Sequence, residues 1–195
     1  ITAPTITGNT TVCSGGSISL DAGAGYSTYA WSNSGGSGQT ATFNNVTTTT
    51  TYTVTVTGNG GCTASDTHQV TVTSLPTVTA PTNQTVCAGA TTTAVNFTGT
   101  GSPTFNWTNS NTAIGLAASG TGNIGAFTAT NATASPVTAT ITVTPTVAGC
   151  PGTAQTFTIT VNPLPEESRV RNECRSRWSP SHSKKNSGTV GATFN

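Results

Sequence analysis

The chain has 195 residues, a formal net charge of +1 and only 6% charged residues, with threonine the commonest residue. All six Lys and Arg fall between Arg169 and Lys185, and the first 165 residues carry only Asp21, Asp66 and His68 as acids and histidine. So little charge argues against a nucleic-acid groove in the body and against acid–base chemistry there. No apolar run approaches the roughly 20 residues that a spanning helix needs, so no membrane insertion is expected. Methionine is absent, even at position 1, and no basic leader with an apolar core opens the chain. These features lead us to expect a soluble, processed product or a piece of a longer protein.

Thr and Val favour strands, because branching at Cβ suits a pleated surface and crowds a helix. Strands are expected near Ser17–Asp21, Ser27–Ser32, Gln39–Asn44 and Thr51–Thr57. In the last of these Tyr52, Val54 and Val56 face one way and Thr the other, the period of a half-buried antiparallel strand. A Gly-rich turn at Gly58–Gly61 then leads to a strand around Thr67–Thr73. Later strands are expected near Thr93–Thr98, Pro103–Thr108, Ala126–Thr130, Val137–Thr144 and Thr153–Val161. The Gly-rich run Gly115–Gly125 ends without Lys-Ser or Lys-Thr, so it reads as a flexible connection and not a phosphate cradle.

The same order of features occurs twice: TVC, aromatic-x-Trp, an alternating strand, Gly-Cys, a second alternating strand and Leu-Pro. Two modules of one build follow, residues 1–75 and 76–165, with the basic stretch 166–195 after them. Many short strands with frequent turn signals make each an antiparallel β-sandwich, so the fold class is all-β. Pro-containing joints predict end-to-end stacking with limited bending. Trp31, Tyr52 and Trp107 are assigned to the core, with a carbohydrate-stacking platform as the alternative for the two indoles.

Four of the five cysteines fall in matched places, Cys13 and Cys62, then Cys87 and Cys150. They lack the spacing of zinc ligands, and neither metal nor other cofactor is expected. One disulfide per module is the leading assignment, Cys13–Cys62 and Cys87–Cys150. A sandwich sets those partners at opposite ends, so a bridge between modules, Cys13–Cys150, is the alternative. Asp66 and His68 lie two apart on one side of a strand, too few groups for a catalytic triad without a third partner.

With these motifs in hand (TVCSGGSISLDAG, YAWSNSG, TYTVTVTGNGGC, TVCAGATTTAVNFTG and ITVTPTVAGC), residues 1–165 resemble the Ig-like and PKD-like repeats of large secreted surface proteins of Bacteroidota. That resemblance implies a non-catalytic spacer or adhesion module, of a kind often strung in arrays and exported by the type IX system. This chain lacks the C-terminal sorting domain of that route, which again points to a piece of something longer. The expected function is therefore a structural and adhesive element at the cell surface, not an enzyme. A filament subunit joined through strand edges and a carbohydrate-binding accessory module are the alternatives. Expected partners are neighbouring repeats or identical subunits, and surface glycans. In the tail, Arg169, Arg171, Arg175, Arg177, Lys184 and Lys185 are the candidate contacts, for an assembly arm or an anionic ligand; an out-of-frame or disordered end is the other reading.

Overall fold

The computed structural model describes residues 1–164. The six tail cations and Cys174 lie outside them. Among the described residues there is no α-helix, and the chain is built of strands and one short 3-10 turn.

Seven strands surround the first core: β1 (Thr7–Gly8), β2 (Thr11–Cys13), β3 (Gly16–Asp21), β4 (Thr28–Trp31), β5 (Thr40–Val46), β6 (Thr50–Thr57) and β7 (Thr63–Thr73). They form two sheets, β1-β3-β5 and β2-β7-β6-β4. Side chains alternate across β6 as its sequence dictates, so Tyr52, Val54 and Val56 are buried while the threonines between them are not. Full burial of Val54, Val56 and Val70 stabilises the sandwich by about 1.5–3 kcal/mol each. Trp31, Phe43 and Tyr52 pack as a chain of rings, with centroids 6.4 Å and 4.2 Å apart.

Seven further elements surround the second core: β8 (Gln84–Cys87), β9 (Thr104–Asn109), the 3-10 turn Thr112–Ile114, β10 (Ser119–Thr121), β11 (Val137–Val147), β12 (Cys150–Pro151) and β13 (Gln155–Asn162). One sheet runs β10-β9-β11-β13-β8, with β12 on β11. The facing layer is held by bridges at Thr91↔Thr128 and Val95↔Ile124. There the backbone N–H of Phe127 donates to Thr92 Oγ1, and that of Phe97 to Asn123 Oδ1. Side chains thus take positions that a regular ladder gives to carbonyls, so the expected strands Thr93–Thr98 and Ala126–Thr130 are irregular. Val95, Phe97, Ile124 and Ala129 still bury against Ile141, Val143, Phe157 and Ile159.

Two features depart from the sequence-based expectation. The sheets are antiparallel except at two places, β2 beside β7 and β8 beside β13, where the pairing is parallel. Each of these follows a crossing of the chain from one sheet to the other, which no alternation reveals. The run Gly115–Gly125 is not a flexible connection. It contains β10, and Gly120 lies against the Trp107 ring so closely that a Cβ would overlap it. Asn109 Nδ2 fixes the preceding loop by donating to the carbonyls of Leu116 and Ala117.

Candidate functional site

Every Asp and His of the described residues is engaged with its surroundings. Asp21 Oδ1 accepts from the Gly23 N–H at 2.7 Å and from Gln39 Nε2 at 3.0 Å. The Gln39 bond, then the Gly23 bond, hold its carboxyl below the ordinary value against a small opposing effect of burial. Asp66 and His68 project from one side of β7 and grip the first crossing. Asp66 Oδ2 accepts from the Ile6 N–H at 2.8 Å, and His68 Nε2 lies 2.9 Å from the Asn9 carbonyl. Asn9 Oδ1 in turn accepts from the Ser19 N–H. Among the described residues no three His, Cys, Asp or Glu come together. Trp31 and Trp107 are both 7% exposed, so neither offers an open ring face, and Tyr52 is buried against Phe43 in the first core.

The distinctive chemistry lies where the two cores meet. Strand β2 runs parallel to β7 with Cys13 opposite Thr73, at the end where the chain leaves the first core. Cys62 stands just before Thr63, at the other end of that 11-residue strand. At about 3.3 Å per residue these ends lie roughly 33 Å apart, against the about 4.4–6.8 Å between Cα atoms that a disulfide spans. The expected pair Cys13–Cys62 is therefore not formed, and Cys62 is an exposed free thiol. Cys13 instead bonds to Cys150, with a Cα separation of 5.5 Å across 137 positions of sequence. Cys87 is also disulfide-bonded, but not to Cys150 as the leading assignment had it. Its own strand ends opposite Asn162, the far end of β13 from Cys150.

Local sequence explains how Cys150 reaches its partner. Ala148 and Gly149 both have positive φ (47° and 80°), as a tight two-residue hairpin loop requires, and the turn holds Val147 opposite Cys150. The register between β11 and the returning chain then shifts by one residue between Pro151 and Gln155, a β-bulge. Gly152 sits in that bulge, and a Cβ there would overlap the carbonyl oxygen of Pro76. Gly99 receives the Thr77 carbonyl in the same way, and the Thr77 N–H donates to Thr100 Oγ1. Two glycines thus let the joint lie flat on the second core, with Pro76 buried. The disulfide closes the junction from the side, leaving a small cleft of about 200 Å³ lined by Thr11, Val12, Thr73 and Ala148.

A second, polar cleft of about 430 Å³ opens between residues 81–86 and 93–96. It arises because the crossing before β8 is longer than the one before β2. Pro4-Thr5-Ile6-Thr7 matches Pro76-Thr77-Val78-Thr79, an offset of 72, whereas Cys13 matches Cys87, an offset of 74. Asn83 Oδ1 accepts from the Thr158 N–H at 2.8 Å and ties this crossing to β13. Gln84 spans the gap by pairing its amide with both the N–H and the carbonyl of Thr93, each at 2.9 Å. Among the described residues no titratable side chain lines this cleft.

Residues 2–76 match the model of a family described as "Ig-like domain CHU_C associated". No curated protein matches the chain. Among solved structures, immunoglobulin domains 1–4 of Sidekick-1 align at 18% identity over 83% of this chain and 48% of that one, with a TM-score of 0.41. The insect immune protein hemolin aligns at 17% identity over 83% and 46%, with a TM-score of 0.40. Murine CEACAM1b aligns at 11% over 82% and 100%, with a TM-score of 0.39. The chain thus spans about half the length of the Sidekick-1 and hemolin chains, and a likeness at this level concerns the fold alone. Residues 2–76 form an Ig-like domain, and the second core carries the same strand order in its main sheet.

Proposed function

We propose that this chain is a non-catalytic, extracellular structural and adhesive element, made of two Ig-like modules (residues 1–75 and 76–165) held at a fixed angle. The observation that carries this reading is the Cys13–Cys150 bridge between the two cores. A covalent tie at the side of a joint whose backbone is already seated against Gly99 and Gly152 resists bending, which suits a spacer that presents a distant surface. Disulfides persist in oxidising compartments, which supports a location outside the cell. The engagement of Asp21, Asp66 and His68 in holding backbone segments supports a mechanical and not a chemical role. Contact with a partner falls to loops, edges and the polar cleft, by weak protein–protein or protein–glycan interactions.

The test uses spin labels at Asn59 and Ala134, exposed sites at the outer ends of the two units. A narrow distance distribution is expected in the native chain, and a broad one in the Cys13→Ser/Cys150→Ser variant. Equal widths would remove the rigid-spacer reading.

A further inference from the structure

The two units place their cysteines alike, yet use them differently. Cys13 and Cys87 each end a Thr-Val-Cys strand, β2 and β8. Cys62 and Cys150 each occupy a hairpin tip. Val54 faces Trp31 and Val143 faces Trp107, and Cys62 follows Val54 by eight residues where Cys150 follows Val143 by seven. Of the two hairpin cysteines, Cys150 is bonded to the strand-end cysteine of the preceding unit, and Cys62 is exposed and free.

A second observation concerns what lies beside each tip. At the Cys150 hairpin the chain enters its unit, with the Pro76 carbonyl against Gly152. At the Cys62 hairpin the chain also enters its unit, with Ile1 side-chain atoms 3.0–3.6 Å from where a Cβ would stand on Gly58. The Gly58 N–H donates to the Cys62 carbonyl, so this tip is an ordered turn. The entry end of the second unit is thus where the first unit docks and bonds. The entry end of the first unit presents the same kind of tip, with its thiol available.

We propose that Cys62 is the receiving half of a second staple. It forms a disulfide with the cysteine ending a Thr-Val-Cys strand of a further unit of this build, stacked on the Ile1 end as the first unit stacks on the second. A second copy of this chain does not supply that cysteine, because its Cys13 is joined to Cys150 and its Cys87 is also disulfide-bonded. The reaction takes two thiols to one disulfide. Two electrons and two protons pass to a small disulfide oxidant such as oxidised glutathione, which leaves as two thiols after attack by one thiolate and resolution of the mixed disulfide by the other. The inference deepens the spacer reading and rests on its end-to-end geometry, but the distance distribution and the bond map can fail independently.

The experiment joins a second copy of residues 1–72 to the N-terminus of the full chain, so that Pro4 stands at the new joint where Pro76 stands at the native one. The protein is oxidised in glutathione buffer and mapped, without reduction, by peptide mass spectrometry after alkylation. The expected map links Cys62 of the full chain to the added copy's Cys13, keeps Cys13–Cys150, and leaves the added copy's Cys62 alkylated. Recovery of Cys13–Cys150 shows that the original pair of units is folded. In the same fusion carrying Cys62→Ser in the full chain, the added copy's Cys13 is expected to become alkylated. An alkylated Cys62 in the fusion, a link between the two copies of Cys62, or an added Cys13 still blocked in the Cys62→Ser protein would each overturn the proposal. So would a Cys62–Cys62 dimer of the unextended chain.

Discussion

The first and second units follow one plan and diverge at two places, the crossing between sheets and the hairpin tip. In the first unit the crossing is short, and Asn9, Asp66 and His68 fasten it. In the second it is two residues longer, with Asn83 accepting from the Thr158 N–H and Gln84 spanning to Thr93 beside an open cleft. One tip offers a free thiol while the other is bonded to its neighbour. The alternating strands thus set a common frame, and the individual behaviour of each unit is written in its turns and side-chain clasps.

The largest expected effect is on the tie between units. In the chain-entropy model a link across 137 positions stabilises by about 5 kcal/mol. Urea unfolding of the Cys13→Ser/Cys150→Ser variant should show a loss approaching that figure, shared unequally between the two units. An unchanged midpoint would mean that the bridge constrains nothing.

Next comes the seat of the joint. Gly152→Ala drives a Cβ into the Pro76 carbonyl and should cost about 1–3 kcal/mol, the usual penalty of overpacking. Gly60→Ala, in the first unit's open turn, meets no neighbour and should stay within about 0.5 kcal/mol of the native chain. Equal thermal shifts for the two variants would contradict the close seating.

A smaller difference separates the matched indoles. Trp31 Nε1 donates to the Gly38 carbonyl at 2.9 Å, whereas buried Trp107 Nε1 has no partner among the described residues. Trp31→Phe leaves a carbonyl without its donor, and Trp107→Phe removes an unpaired donor. The first should therefore cost more than the second, by about 1 kcal/mol in paired denaturation curves. The reverse order would sink this distinction.

The smallest effect is Asp21. Its folded value lies below the unfolded one, so its contribution is present above the ordinary aspartate range of about 4 and fades as pH falls through the lower folded value. Asp21→Asn should make the protein slightly less stable at neutral pH and remove this group's loss of stability below about pH 4, so that the two stability–pH curves converge in acid. No counterpart exists in the second unit, where the described residues hold no acid.

Much of the frame was legible in residues. The strands around Tyr52–Val56 and Val137–Val143 follow directly from period-two burial, and the doubled order of motifs mirrors two separate cores. The parallel strands β2 and β8 were not legible, because three or four residues with a cysteine at the end carry no alternation. The irregular layer at Thr91–Phe97 escaped as well, since its sequence is strand-like and only the intrusion of the Thr92 hydroxyl and the Asn123 amide breaks the ladder. Of the cysteine pairings, the leading assignment of one bridge per module fails, and the alternative Cys13–Cys150, reached from the opposite ends at which a sandwich sets those partners, is the one formed. Spacing alone did not decide between them, because the choice depends on which end of β7 and β13 each cysteine meets.

The clamped junction depends on which cysteine Cys13 meets, and a disulfide map of the unreduced native chain reads this directly. Trypsin finds no Lys or Arg before Arg169, so cleavage at aromatic residues, with a second cut before Asp66 to part Cys62 from Cys87, is the suitable route to separate the peptides. The expected product joins the peptide containing Cys13 to the one containing Cys150, with Cys62 alkylated. A peptide pair joining Cys13 to Cys62 would mean that each unit is braced within itself, and the clamped junction would be refuted.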